Sequence, residues 1–150
     1  MRARDIAEDY PTIALDDDAL VAAQTMAAAR RPGLIVLGED GRPYTILPGS
    51  QVLKFIIPSY VQDQPALARA YGEKASDELC ATLVHHTVRD LLPKPADVDE
   101  LPIVDPDATM IEVAAVMAQV HSPLVAVVDE NEGMLGAITA SVLLTRIIPA

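Results

Sequence analysis

The chain has no tryptophan, one phenylalanine and one cysteine, and aromatic residues make up only 3% of its 150 positions. A core with so little aromatic bulk must be aliphatic, built from the Ala, Val, Leu, Ile and Met behind a 51% hydrophobic composition. The lone Cys80 excludes an internal disulfide and fits a reducing compartment. On a helical pattern it falls on an apolar face with Leu83 and Val84, which predicts an inert core thiol. No apolar run approaches the ~18 residues a membrane span needs, and the opening MRARDIAEDY has no apolar signal-like stretch. The expectation is a cytoplasmic protein with no direct membrane insertion. Cations are scarce, 11 Lys and Arg against 22 Asp and Glu, for a net charge of −11. That charge repels nucleic acid and anionic lipid, so no nucleic-acid partner is expected. Any polyphosphate ligand would need a local basic pocket. Catalytic signatures are also missing. There is no G-x-S-x-G elbow and no phosphate-cradling Gly-rich loop, and the carboxylates fall mostly in caps and turns. The chain reads as a non-enzyme, with no metal site and no catalytic set.

The chain contains its own pattern twice. Displaced by 91 residues, Asp16 falls on Asp107, Ala23 on Ala114, Met26 on Met117, Pro32 on Pro123, Val36 on Val127, Ser50 on Ser141 and Leu53 on Leu144. The register holds without a gap from about Thr12 to Pro58. Upstream, ARDI (3–6) resembles VRDL (88–91) at an offset of 85, so the connection that follows differs by six residues. Each copy predicts the order β-α-β-β-α. An extended piece (11–15 or 101–104) leads to a capped helix (19–30 or 110–121), whose Leu20, Ala23, Ala27 and Ile111, Ala114, Met117 recur at helical spacing. A β-branched strand (33–37 or 124–128), a Gly-containing turn, a second strand (43–47 or 134–138) and a last helix (50–57 or 140–147) complete the copy. Residues 59–87 lie between the copies and carry their own helical periodicity, with Pro65 opening one short helix and 75–86 forming another. The predicted organisation is a first repeat at 1–58, a helical insert at 59–87 and a second repeat at 88–150.

The doubled unit resembles the CBS domain pair, or Bateman module. The segments that carry the likeness are RPGLIVLGEDGRPYTIL (31–47), SPLVAVVDENEGMLGAIT (122–139) and the helices after them. The resemblance implies an α/β (α+β) fold of two β-α-β-β-α CBS repeats packed with pseudo-twofold symmetry. It also implies association into dimers, adenine nucleotides or S-adenosylmethionine in the clefts, and regulation of an attached enzyme, channel or transporter. The family's nucleotide pattern is G-apolar-apolar-T-x-x-D. Here Gly136 and Thr139 match it, while Val142 stands in place of the aspartate. In the first copy Thr45 replaces the glycine, Pro48 the threonine and Gln51 the aspartate. A hydrogen bond to a charged group contributes about 1.5–3 kcal/mol, so each lost carboxylate weakens binding by roughly one to two decades.

The candidate ligand residues are Arg30, Arg31, Pro32, Ser50, Gln51, Ser122, Thr139 and Ser141. Each has a plainer reading beside it. Thr139, Ser141 and Ser50 are helix-cap residue types, Gln51 suits a solvated helix, and Arg30 and Arg31 suit a helix C-terminus. The leading expectation is a stand-alone regulatory module acting on a transporter or enzyme in trans, with a weakened nucleotide motif. The alternative is a sensor of AMP, ADP, ATP or S-adenosylmethionine that uses a modified cleft. The aliphatic final helices, 52–57 and 142–148, predict a homodimer.

Overall fold

The computed structural model describes residues 1–72 and 74–149. Each copy forms the predicted β-α-β-β-α order, preceded by one helical turn. The first runs α1 (Ala3–Ile6), β1 (Thr12–Ala14), α2 (Ala19–Ala29), β2 (Gly33–Leu37), β3 (Pro43–Pro48) and α3 (Gly49–Ile56). The insert holds α4 (Ser59–Asp63), a 3₁₀ turn (Pro65–Ala70) and α5 (Lys74–Ala81). The second copy runs α6 (Val88–Leu91), a 3₁₀ turn (Pro95–Asp97), β4 (Ile103–Val104), α7 (Met110–Val120), β5 (Leu124–Asp129), β6 (Gly133–Thr139) and α8 (Ala140–Ile147). That 3₁₀ turn sits in the longer of the two connections, the one in the second copy. The sheets are three-stranded, in the orders β1-β2-β3 and β4-β5-β6.

The chain clusters into two compact units, neither continuous in sequence. Unit 1 comprises Met1–Pro11, Leu37–Thr45 and Asp99–Ala150; unit 2 comprises Thr12–Val36 and Ile46–Val98.

In unit 1, β4 runs parallel to β5 and β6 antiparallel to it, with Ala126 opposite Ala137 and Val127 opposite Gly136. Val125, Val127, Ile138, Val113, Met117 and Leu143 form the core with Ala3 and Ile6 of α1. Thr109 caps α7 by accepting from the Glu112 N–H at 3.2 Å. The β5–β6 turn is held by Asp129, whose carboxylate accepts from the N–H groups of Asn131 (2.7 Å) and Glu132 (3.1 Å). Those two bonds hold its pKa below the usual carboxylate value. Gly133 supplies the positive φ, +77°, that closes the turn.

In unit 2, Asp18 caps α2 by accepting from Leu20 and Val21. The buried side of α2 is Ala19, Ala22 and Met26. This corrects the spacing-based expectation of Leu20, Ala23 and Ala27. Similarly, Ile111 of α7 is 71% exposed. Both helices are apolar on nearly every side, so periodicity alone does not fix which face turns inward. Cys80 is exposed, contrary to the expectation of a core thiol. Helix α5 ends at Ala81 and the backbone turns through His85 at φ +67°, so Leu83 and Val84 do not extend the face that Cys80 occupies.

Candidate functional site

The corners at which β3 and β6 meet their final helices are built alike. The first helical N–H, of Gly49 or Ala140, donates at 2.9 Å to the carbonyl of Pro32 or Pro123. In each unit this bond ties the helix start to the residue just before the neighbouring strand. One of the four orphan N–H groups of a helix start is thereby satisfied.

In unit 1 the corner brings Ser122, Thr139 and Ser141 into place. Thr139 is the N-cap of α8, and its hydroxyl oxygen accepts from the Val142 N–H at 3.3 Å. It also lies 3.1 Å from the Ser141 hydroxyl. Ser122 donates to the Leu124 carbonyl at 2.6 Å and accepts from the Leu124 N–H at 3.3 Å. Two of the three hydroxyls thus bond backbone groups, and the third meets its neighbour. Arg146 stands in the last turn of α8, at the far end from Thr139.

In unit 2 the N-cap of α3 is Pro48, which offers no side-chain bond. Ser50 is exposed in the first turn. Gln51 donates its amide N–H to the Leu91 carbonyl at 3.1 Å, tying α3 to α6. Pro32 contributes its carbonyl to the corner, as above. Arg30 ends α2 in the left-handed region (φ 53°) and is exposed, with half-buried Arg31 beside it. His121 takes the same left-handed place at the end of α7 (φ 54°). The basic residues and the helix start without a side-chain cap therefore occur in unit 2, while the motif threonine is in unit 1. The eight candidates divide between the units, five in unit 2 and three in unit 1.

Two structural roles escaped sequence reasoning. A Cβ on Gly136 would lie 2.7 Å from the Glu8 carbonyl oxygen and 3.2 Å from Ala7 Cβ, so the residue must be glycine for residues 7–8 to reach β6. The two segments exchange backbone bonds there, Glu8 N–H to Ala137 O and Ala137 N–H to Glu8 O, both 2.9 Å. Thr45, equivalent to Gly136 in the first copy, is buried and donates its hydroxyl to Asp99 O at 2.7 Å. The exchange of Gly136 for Thr45 between copies was the visible signal. Its cause is a contact from a distant segment. Among the described residues, no group of three His, Cys, Asp or Glu is placed to hold a metal ion. No described helix is long and apolar enough to cross a membrane.

A family model for the CBS domain matches residues 88–148. A search of curated proteins gave no match. Among solved structures, the chain is similar to a CBS domain-containing protein of unknown function from Kribbella flavida, at 48% identity and TM-score 0.89 over 99% of each chain. It shares its fold with CBSX2, solved in complex with AMP, at 13% identity and TM-score 0.62 over 95% of this chain and 92% of that one. It also shares its fold with a hexameric CBS-CP12 protein from bloom-forming cyanobacteria, at 20% identity and TM-score 0.60 over 97% of this chain and 70% of that one. With two β-α-β-β-α copies, a family-model match on the second and near-complete alignment to the Kribbella protein, the chain belongs to the CBS domain family.

Proposed function

We propose that this CBS domain protein is a cytoplasmic regulatory or interaction module that acts on a partner in trans, a transporter or an enzyme, with its nucleotide motif weakened. One observation carries the reading: the motif groups are already engaged within the fold. Thr139 bonds the Val142 N–H, Gln51 bonds the Leu91 carbonyl, and Val142 has no polar group to offer a ribose. A ligand at either corner meets a side chain already bonded to the backbone, and neither corner offers it a carboxylate. The same economy of reactive groups supports a non-catalytic role.

The second reading is an adenosine sensor. The AMP complex of CBSX2 favours it, as do Arg30 and Arg31 beside a helix start whose cap residue is proline. Thermal shift against AMP, ADP, ATP and S-adenosylmethionine separates the two. A ligand at a hundred times its dissociation constant adds about 2.7 kcal/mol of stability, which for this chain length moves Tm by several degrees. No shift at millimolar concentration is the result expected of a module retained for its surfaces. A clear shift with one compound establishes the sensor.

The module is also proposed to be a homodimer. Leu53, Leu144 and Ile148 are more than half exposed, and such apolar helix faces favour association. The hexameric CBS-CP12 protein shows that this fold enters assemblies. A monomeric mass in light scattering at micromolar concentration would refute this.

A further inference from the structure

The doubled repeat does not account for the insert at 59–87, and one stretch of that insert buries almost nothing. Helix α4 is tied to α3 and the residue after it. Val61 is buried, and the Gln62 side-chain amide donates to the Lys54 carbonyl at 3.0 Å and the Ile57 carbonyl at 2.7 Å. From Gln62 to Gly72 every residue is exposed. The backbone is regular there all the same. Gln64 N–H donates to Tyr60 O at 3.2 Å, Leu67 N–H to Gln64 O at 3.0 Å and Tyr71 N–H to Ala68 O at 3.0 Å, and the 3₁₀ turn packs against α4. Ordering a segment costs conformational entropy, which burial of apolar surface normally offsets. Within one copy residues 62–72 obtain none of that burial, although the side chains for it are present. Tyr60 is 54% exposed, and Leu67 and Tyr71 are each 44% exposed. A tyrosine buries about 150–250 Å² when fully covered, so these two still have about 200 Å² to offer.

The charges on the segment match a second copy of it. The whole chain carries −11, so two copies repel one another at most contacts. Residues 59–72 carry one acid and one base, Asp63 and Arg69, and are neutral. Both side chains are exposed, and among the described residues neither has an ion-pair partner. Asp63 ends α4 and Arg69 stands in the last turn of the 3₁₀ helix. A twofold axis makes a contact reciprocal: where Asp63 of one copy faces Arg69 of the other, Arg69 of the first faces Asp63 of the second. One symmetry operation therefore answers both charges and covers the tyrosines.

We infer that residues 59–72 form a self-docking surface, on which two copies pack Tyr60, Leu67 and Tyr71 together and Asp63 of each copy faces Arg69 of the other. This goes beyond the homodimer proposed above, because the contact needs neither α3 nor α8. The test uses three variants of the full chain, Asp63→Arg, Arg69→Asp and Tyr71→Ala. All three side chains are exposed, so folding is spared, and an unchanged Tm confirms it. Light scattering at micromolar concentration reads the mass. Each charge variant alone sets like charges against each other twice, which opposes the contact. Mixed, the two variants supply the charges that each lacks. The expected result is half the wild-type mass for either charge variant alone and the wild-type mass for their mixture. Tyr71→Ala is expected to raise the dissociation constant about tenfold or more. Wild-type mass for each charge variant alone, or an unchanged constant for Tyr71→Ala, would overturn the inference while the homodimer stands, and would assign the segment to a partner other than a second copy. Half mass that mixing does not restore would also overturn it, because the reciprocal pairing would be absent. A monomeric wild type would refute the homodimer and the inference together.

Discussion

Arg4 Nη2 lies 2.8 Å from Asp107 Oδ1, joining the helical turn α1 to the turn that leads into α7. The reciprocal pair is Arg89 with Asp16, at 3.4 Å. The backbone repeats the exchange. Ala3 N–H donates to Ala108 O at 2.8 Å, and Val88 N–H to Asp17 O at 2.9 Å. The ion pair raises the Arg4 pKa through its bond and charge interaction with Asp107, yet both partners are exposed. Exposed pairs contribute little and are screened by salt. Buried Ile6, 3% exposed in the unit 1 core, is the stronger anchor. Arg4→Ala is expected to lower Tm slightly in dilute buffer and not at all in molar salt. Ile6→Ala is expected to cost about 2–5 kcal/mol, a fall of several degrees that salt does not restore. Differential scanning calorimetry at two salt concentrations checks both.

Gly136→Ala tests whether the motif glycine is structural. Its Cβ would collide with the backbone carbonyl of Glu8, which a side-chain rotation cannot relieve. A loss of about 1–3 kcal/mol is expected, read as a lower urea midpoint. Gly72→Ala serves as the control, because a Cβ there meets nothing within 4 Å. Equal midpoints for the two variants would show that residues 7–8 do not hold β6 in solution.

Thr139→Ala removes a helix cap and should cost about 1 kcal/mol. For a module with an engaged corner, the loss of Tm is the same with and without adenosine compounds. A larger loss in the presence of one compound would assign the hydroxyl to that ligand and favour the sensor.

Asp90 sets a pH dependence. The Thr87 backbone N–H, then the His86 side chain at 3.1 Å, hold its pKa below the ordinary carboxylate value. A depressed folded pKa means stability that is present above the unfolded value, about 3.9. It is lost as pH falls through the folded value. Asp90→Ala should therefore melt below wild type at neutral pH, and the gap should narrow as pH falls from about 4 toward 2. A gap that stays constant over that range would assign the effect to packing.

Local chemistry was readable in advance, and long-range contact was not. The repeat, the caps at Asp18 and Thr109 and the capped start of α8 at Thr139 depend on residues within a few positions of one another, and they stand as expected. Gln51 was read as a solvated residue or a ribose contact. Its partner is a carbonyl 40 residues away, which no spacing rule reveals. Ile111 and Cys80 were misplaced for a different reason. One lies on a helix apolar on nearly every side, and the other on a helix that stops before its apolar pattern does. The family-model match at 88–148 covers the copy that keeps Gly136 and Thr139, whereas Thr45 and Pro48 occupy those positions in the first.

The exchange of leading segments has a consequence for dissection. A cut in the loop at Gly72 yields two polypeptides, neither of which holds a complete unit. The first supplies 1–11 and 37–45 to unit 1, and the second supplies the rest of unit 1 and the α6 turn of unit 2. Each fragment alone leaves hydrophobic surface bare, so the two should regain structure only when mixed. The fold is thus suited to a split reporter, in which reassembly of the halves is itself the signal.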